Sequence, residues 1–258
     1  MTRSWQDALG DPHPPTDTVA AVPQTGLSPP TTASAFSGVV ERLPAAQESF
    51  LNAGAAECGG TEAEMACSER VVVEAQLVET ELGLAPKGDG WFVLNARDAQ
   101  WWRRRVTVCD FEGEHRSPQL GINLTLLEPG EPMTMYHWEA DQEDFLVLAG
   151  EALLVIEGAE RRLRQWDFVH CPPGTNHAII GAGTCRCLVL ATGARDNRSK
   201  GQEWGRYTVD ATALRHGAGV QRETTEGSEA YARFPPWKLT RYREGWLPDW
   251  PSRAPTSG

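Results

Sequence analysis

The chain has 258 residues and a mass of 28.3 kDa, with 40% hydrophobic and 23% charged residues, enough for one large domain or two small ones with a globular core. Lys and Arg number 24 against 35 Asp and Glu, a net charge of −11, which leaves no basic excess of the kind that binds nucleic acid or anionic membranes. No apolar run approaches the roughly 20 residues of a membrane span, and 25 glycines with 18 prolines argue against a helical bundle.

Residues 1–68 read as a disordered N-terminal extension. Pro12, Pro14, Pro15, Pro23, Pro29 and Pro30 stand among Thr, Ser, Ala and Asp with little to bury. A short helix over 41–53 is the one element this stretch suggests. The opening MTRSWQDALGDPHPP has no apolar h-region, so no signal peptide is expected. The six cysteines include no Cys-x-x-Cys pair and are expected to be reduced, in a cytoplasmic protein.

From residue 71 the texture becomes short β-like runs: 71–78, 91–95, 105–111, 122–127, 133–138, 143–149, 152–157, 167–171, 177–181 and 185–191. EPGEP, AGEA, EGAE, PPGTN and GAGT separate several of them and read as turns. Ten closely spaced runs without intervening helices predict an all-β, antiparallel sandwich or barrel. Asp210 followed by ATALRH and Gly217 predicts a capped helix, and a second short helix is expected around 228–233. The tail ARFPPWKLTRYREGWLPDW is expected to drape over the barrel or a neighbouring subunit.

The chemistry concentrates in Gly130-EPMTMY-His137-Trp138-Glu139-ADQ-Glu143-DFLVLA-Gly150 and in Trp166-DFVHC-Pro172-Pro-Gly174-TN-His177-AII-Gly181. Residues two apart on a strand share a face, so His137 and Glu139 point together, with Met135 on the same side and Tyr136 and Trp138 on the other. If Glu143 opens the next strand and His177 comes from across the barrel, four ligand-type side chains meet in one cavity. A glutamate ahead of the apolar FLVLA run is costly to bury unless it is paired or bound to a metal.

These residues resemble the cupin superfamily, in its single-domain form, over roughly residues 119–193. The family's first motif is Gly-x5-His-x-His-x3/4-Glu-x6-Gly and its second is Gly-x5-Pro-x-Gly-x2-His-x3-Asn. His137, Glu143, Gly150, Pro172, Gly174 and His177 fall on motif positions. Gly130 stands one residue too far ahead, Glu139 replaces the second histidine, Trp166 the opening glycine of motif two, and Gly181 the final asparagine.

The resemblance implies a double-stranded β-helix (jelly-roll) barrel over 69–198, with N-terminal flanking strands, short C-terminal helices and a C-terminal extension over 199–258. It implies a mononuclear site for a divalent metal (Fe, Mn, Zn or Ni) held by His137, Glu143 and His177. Glu139 is either a fourth ligand, a partner of a ligand histidine, or the catalytic base. An isomerase, oxygenase, lyase or decarboxylase acting on a small, oxygen-rich molecule is one expectation; a non-catalytic binding or sensor protein, or an accessory subunit, is the other. Pairing into a homodimer is implied by the same resemblance.

Several residues are expected to be structural. Asp141, Gln142 and Asp144 read as rim or turn positions, and one of His170 and Cys171 faces inward. Cys185 and Cys187 read as core without a disulfide. WWRRR (101–105) reads as stacked Trp–Arg surface or a contact for an acidic partner, and the clustered tryptophans as a seal on the outside of the barrel.

Overall fold

The computed structural model describes residues 72–113 and 116–249. The extension over 1–68, its suggested helix, and Trp250 lie outside the described residues.

A hairpin of β1 (Gln76–Thr80) and β2 (Gly83–Lys87) comes first and forms a sheet of its own. The remaining strands are β3 (Gln100–Arg103), β4 (Thr107–Cys109), β5 (Leu120–Leu127), β6 (His137–Glu139), β7 (Glu143–Ala149), β8 (Glu151–Ile156), β9 (Ala159–Arg164), β10 (Phe168–Cys171), β11 (His177–Ala182), β12 (Cys187–Ala194), β13 (Gly205–Tyr207) and β14 (Lys238–Arg241). They form a seven-stranded sheet, order β10-β7-β12-β5-β4-β3-β14, and a five-stranded sheet, order β13-β6-β11-β8-β9. All pairings between these strands are antiparallel, the all-β jelly-roll arrangement; among the described residues no backbone ladder joins the two sheets into a closed barrel.

The core lies between the sheets. Alternate residues of β5, β7 and β12 point inward, and Phe145, Val147, Val189 and Ala191 meet Leu154 and Ile179 from the smaller sheet. The smaller sheet's outer face carries Val155, Ala178 and Ile180, covered by Ala213 of the short helix α2 (Ala211–Arg215). As expected, Asp210 caps α2, its side chain accepting from the Ala213 amide. The other two helices among the described residues are single turns, α1 (Asp196–Ser199) and α3 (Gly227–Ala230).

Two strand expectations need correction, and one further strand lies outside the expected runs. WFVLN (91–95) makes only an isolated bridge from Trp91 to Glu74 and leaves Trp91, Phe92 and Val93 exposed. The run 133–138 is extended only from His137, because Met133 and Tyr136 bond outside the ladder, to Ile179 and Ala218. AERRLR (159–164) is a strand, β9, with one buried side chain, Leu163.

Within the cluster at 101–105 only Arg103 is exposed. Trp101 is fully buried, in edge contact with Trp246 at 5.4 Å between ring centroids, and Trp102 is also buried. Arg104 and Arg105 stack on Tyr231 and Phe234 rather than on tryptophan. Arg105 also donates to the carbonyls of Pro132 and Met133. Trp166 departs from the sealing role too: it is 57% exposed, in a left-handed conformation (φ 75°) that a glycine at this motif position adopts freely.

Candidate metal centre

His177 on β11 stands directly opposite His137 on β6, so both imidazoles point to the same side of the smaller sheet, with ring centroids 4.8 Å apart. Their Nδ1 atoms lie 2.8 Å from the Met135 carbonyl oxygen and 3.0 Å from that of Thr175. A carbonyl only accepts, so each ring donates Nδ1–H and turns Nε2 inward as the atom left to bind. Glu143 opens β7 on the facing sheet, with Oε2 3.6 Å from His137 Nε2 and 3.3 Å from His177 Nε2. Glu139, two residues along β6, brings Oε1 to 3.6 Å from His137 Nε2.

All four side chains are buried. His137 Nε2, His177 Nε2 and Glu143 Oε2 have no hydrogen-bond partner among the described residues. His137, Glu143 and His177 each offer one ligand atom, all within 4.8 Å of one another. Glu139 approaches His137 and stands outside that group.

The electrostatics are those of two bases sharing a buried carboxylate. Burial works against the charged form of His137, but Glu139 and Glu143 outweigh it and hold its pKa above the ordinary value, with His177 opposing. His177 is raised well above its ordinary value; burial again opposes, and Glu143 and the Cys171 thiol dominate. Burial pushes Glu143 up, yet His177 and His137 bring it down to about 2. A set of buried donors that draws in protons this strongly is suited to a divalent cation in their place.

The surroundings explain the motif residues. Gly150 (φ 77°) makes the turn into β8, where a Cβ would overlap the Arg186 carbonyl oxygen. Gly181 stands where the motif has asparagine because a side chain there would overlap the Glu128 carbonyl oxygen. The Gly174 amide donates to the Glu139 carbonyl at 2.8 Å, tying the second motif's turn to the first motif's strand.

Of His170 and Cys171, Cys171 is buried beside His177, and His170 points out to Asp144 at 2.6 Å. Asp141 is buried rather than at the rim, accepting from the backbone and side chain of Asn197. Trp204 and Tyr207 form an aromatic wall against His137, at 6.0 and 5.8 Å between centroids, and sequence reading did not anticipate either. Met135 lines a cavity of about 270 Å³ with Val220, Arg222, Glu229 and Arg233.

Residues 123–192 match the family model described as a cupin domain. The chain carries a cupin domain over these residues. No curated protein matches it. Among solved structures, a candidate sugar phosphate isomerase from Acidithiobacillus ferrooxidans is 29% identical over 34% of this chain and 54% of that one, with a TM-score of 0.30. A DMSP lyase from Ruegeria pomeroyi is 26% identical over 36% and 48%, with a TM-score of 0.32. A cupin 2 conserved barrel domain protein from Salinispora arenicola is 20% identical over 37% and 80%, with a TM-score of 0.33. The chain spans about half the length of the first two.

Proposed function

We propose that this cupin domain holds a mononuclear divalent metal ion through His137, Glu143 and His177, and is a metalloenzyme acting on a small, oxygen-rich molecule. One observation carries the reading: two imidazole Nε2 atoms and a carboxylate oxygen converge in the interior without hydrogen-bond partners, while both Nδ1–H groups are committed to backbone. Two nitrogens and an oxygen suit Fe, Mn, Zn or Ni, and three protein ligands leave positions for substrate. When bound, the ion supplies Lewis acidity, polarising a carbonyl or hydroxyl oxygen.

The chain's own residues orient and move protons. Glu139, buried beside His137 and on the same strand face, is the carboxylate placed to take or return a substrate proton, or to serve as a further ligand. Trp204 and Tyr207 exclude water on the His137 side. Protein purified without an affinity tag is expected to contain close to one divalent ion per chain. Glu143→Ala is expected to lose it. A chain that neither co-purifies with nor binds a metal, and that is unaffected by Glu143→Ala, refutes the reading.

Pairing into a homodimer is the second part of the proposal, supported by the larger sheet's outer face. Phe168, Ile122 and Leu120 are exposed there, in neighbouring rows with Leu146, Leu190 and Leu124. Light scattering on wild type and Phe168→Glu tests it. A wild-type monomer refutes pairing, and a dimer that persists in Phe168→Glu refutes this face.

A further inference from the structure

The larger sheet brings a second set of buried polar groups to the interior, on the same face as Glu143 but on other strands. Across the sheet, Cys171, Glu143, Gly193 and Gly121 lie opposite one another in one row. The next row deeper is Val169, Phe145, Ala191 and Asn123. On the other side of the glycine row stands Arg195, two residues beyond Gly193 and one past the end of β12, its amide bonded to the Gln119 carbonyl at 3.0 Å. Gly121 and Gly193 are buried and put no side chain into the row between Asn123 and Arg195.

Arg195 is 4% exposed, and only one edge of its guanidinium is used. Nη1 donates to Glu112 Oε1 at 2.7 Å and to the Ser117 carbonyl, whereas Nε and Nη2 have no partner among the described residues. Asn123 is fully buried; its Oδ1 accepts from the Thr125 hydroxyl at 2.6 Å and its Nδ2 has no partner among those residues. Glu112 Oε2 is a buried acceptor in the same position. Leaving three N–H-bearing nitrogens and a carboxylate oxygen dry and unmatched is costly unless a ligand completes them.

We propose that Arg195, Asn123 and Glu112 form a recognition subsite for a short hydroxy-carboxylate lying over Gly121 and Gly193, beside the His137, Glu143 and His177 cluster. The Nε and Nη2 edge of Arg195 is the side-on fork that matches two carboxylate oxygens. Asn123 Nδ2 donates to a further oxygen. Glu112 Oε2 demands a donor, which a hydroxyl supplies and a plain carboxylate does not. Its negative charge, with that of Glu143 in the glycine row and of Asp110 in the segment leading to Glu112, disfavours ligands of high negative charge.

The inference rests on the barrel interior being the substrate site, not on a metal being held there. The test is calorimetric titration of glycerate, with glyceramide and propionate as controls, into chelator-treated and zinc-loaded full-length protein. Variants Arg195→Lys and Asn123→Asp are checked for fold by circular dichroism and for zinc uptake. Arg195→Lys keeps the charge beside Glu112 and loses the fork; Asn123→Asp keeps the acceptor for Thr125 and loses the donor.

Glycerate is expected to bind about tenfold or more tighter than either control, and each variant to lose about tenfold with zinc uptake unchanged. Equal binding by wild type and both variants overturns the subsite, as does equal binding of glycerate and the controls, or no glycerate binding with or without zinc. Binding that requires zinc and ignores both substitutions also overturns it and leaves the metal reading intact. Binding that both substitutions weaken in a protein that takes up no zinc supports the subsite and removes the metal reading.

Discussion

His177 pairs with His137 across two adjacent strands, and each imidazole donates Nδ1–H to the carbonyl two residues behind it. The same backbone device thus aims two Nε2 atoms at one point. His137→Gln and His177→Gln are therefore each expected to weaken zinc binding by about 100-fold or more, at least the cost of losing an outer-sphere partner. Competition against a chromophoric chelator measures this, and wild-type affinity in either variant contradicts the ligand assignment.

The pH dependence of the metal-free protein follows from the same pair. Both histidines have raised folded pKa values, so their stabilisation is complete below about 6.5 and is lost as pH rises through the folded values. Glu143, brought down to about 2, contributes above its unfolded value of about 4.3 and loses that contribution as pH falls toward its folded one. Chelator-treated protein is expected to melt at a lower temperature at pH 9 than at pH 6, with a flatter profile in His177→Gln. Zinc, which displaces the protons, should raise the melting temperature more as pH increases from 6 to 8. A metal-free protein that gains stability over pH 6–9 contradicts the assignment.

Gly150 and Gly130 separate backbone conformation from crowding. Both have positive φ, 77° and 81°, but a Cβ at Gly150 meets the Arg186 carbonyl, whereas at Gly130 it meets nothing within 4 Å. Gly130→Ala is expected to cost about 1 kcal/mol from the left-handed conformation alone. Gly150→Ala should cost more, about 3 kcal/mol, because the neighbouring backbone has to shift as well. Chemical denaturation of the two variants checks the order; equal costs contradict it.

Arg105 holds the segment that leads into the metal centre. It donates to the carbonyls of Pro132 and Met133, just ahead of Met135, whose own carbonyl orients His137. Arg105→Ala is expected to destabilise the protein by about 2 kcal/mol, since two carbonyls lose a charged donor. It should also weaken zinc binding, though less than His137→Gln. Loss of stability with wild-type zinc affinity limits Arg105 to a structural role.

The barrel was legible in the sequence where one face of a strand is apolar. INLTLL, EDFLVLA and CRCLVLA hold core strands because their alternation matches the pleat, although the last begins at Cys187. Strand β9 escaped because AERRLR covers an edge with charged side chains and buries only Leu163. WFVLN misled because three large apolar residues that look like core stay exposed. The shared inward face of His137 and Glu139 followed from their spacing. The roles of Asn123 and Arg195 did not, since they depend on which strands become neighbours, and Trp204 and Tyr207 reach His137 only through the pairing of β13 with β6.

The pairing of β14 with β3 has a consequence for how the chain is made. Trp101 and Trp102 on β3 wait for partners at Thr240 and Leu239, well over a hundred residues later in the chain. At synthesis rates of about 5–20 residues per second, that interval is on the order of ten seconds, during which a tryptophan-bearing strand edge stands open beside an otherwise finished sheet. Newly made chains therefore pass through a window in which this edge is open to pairing with other strands.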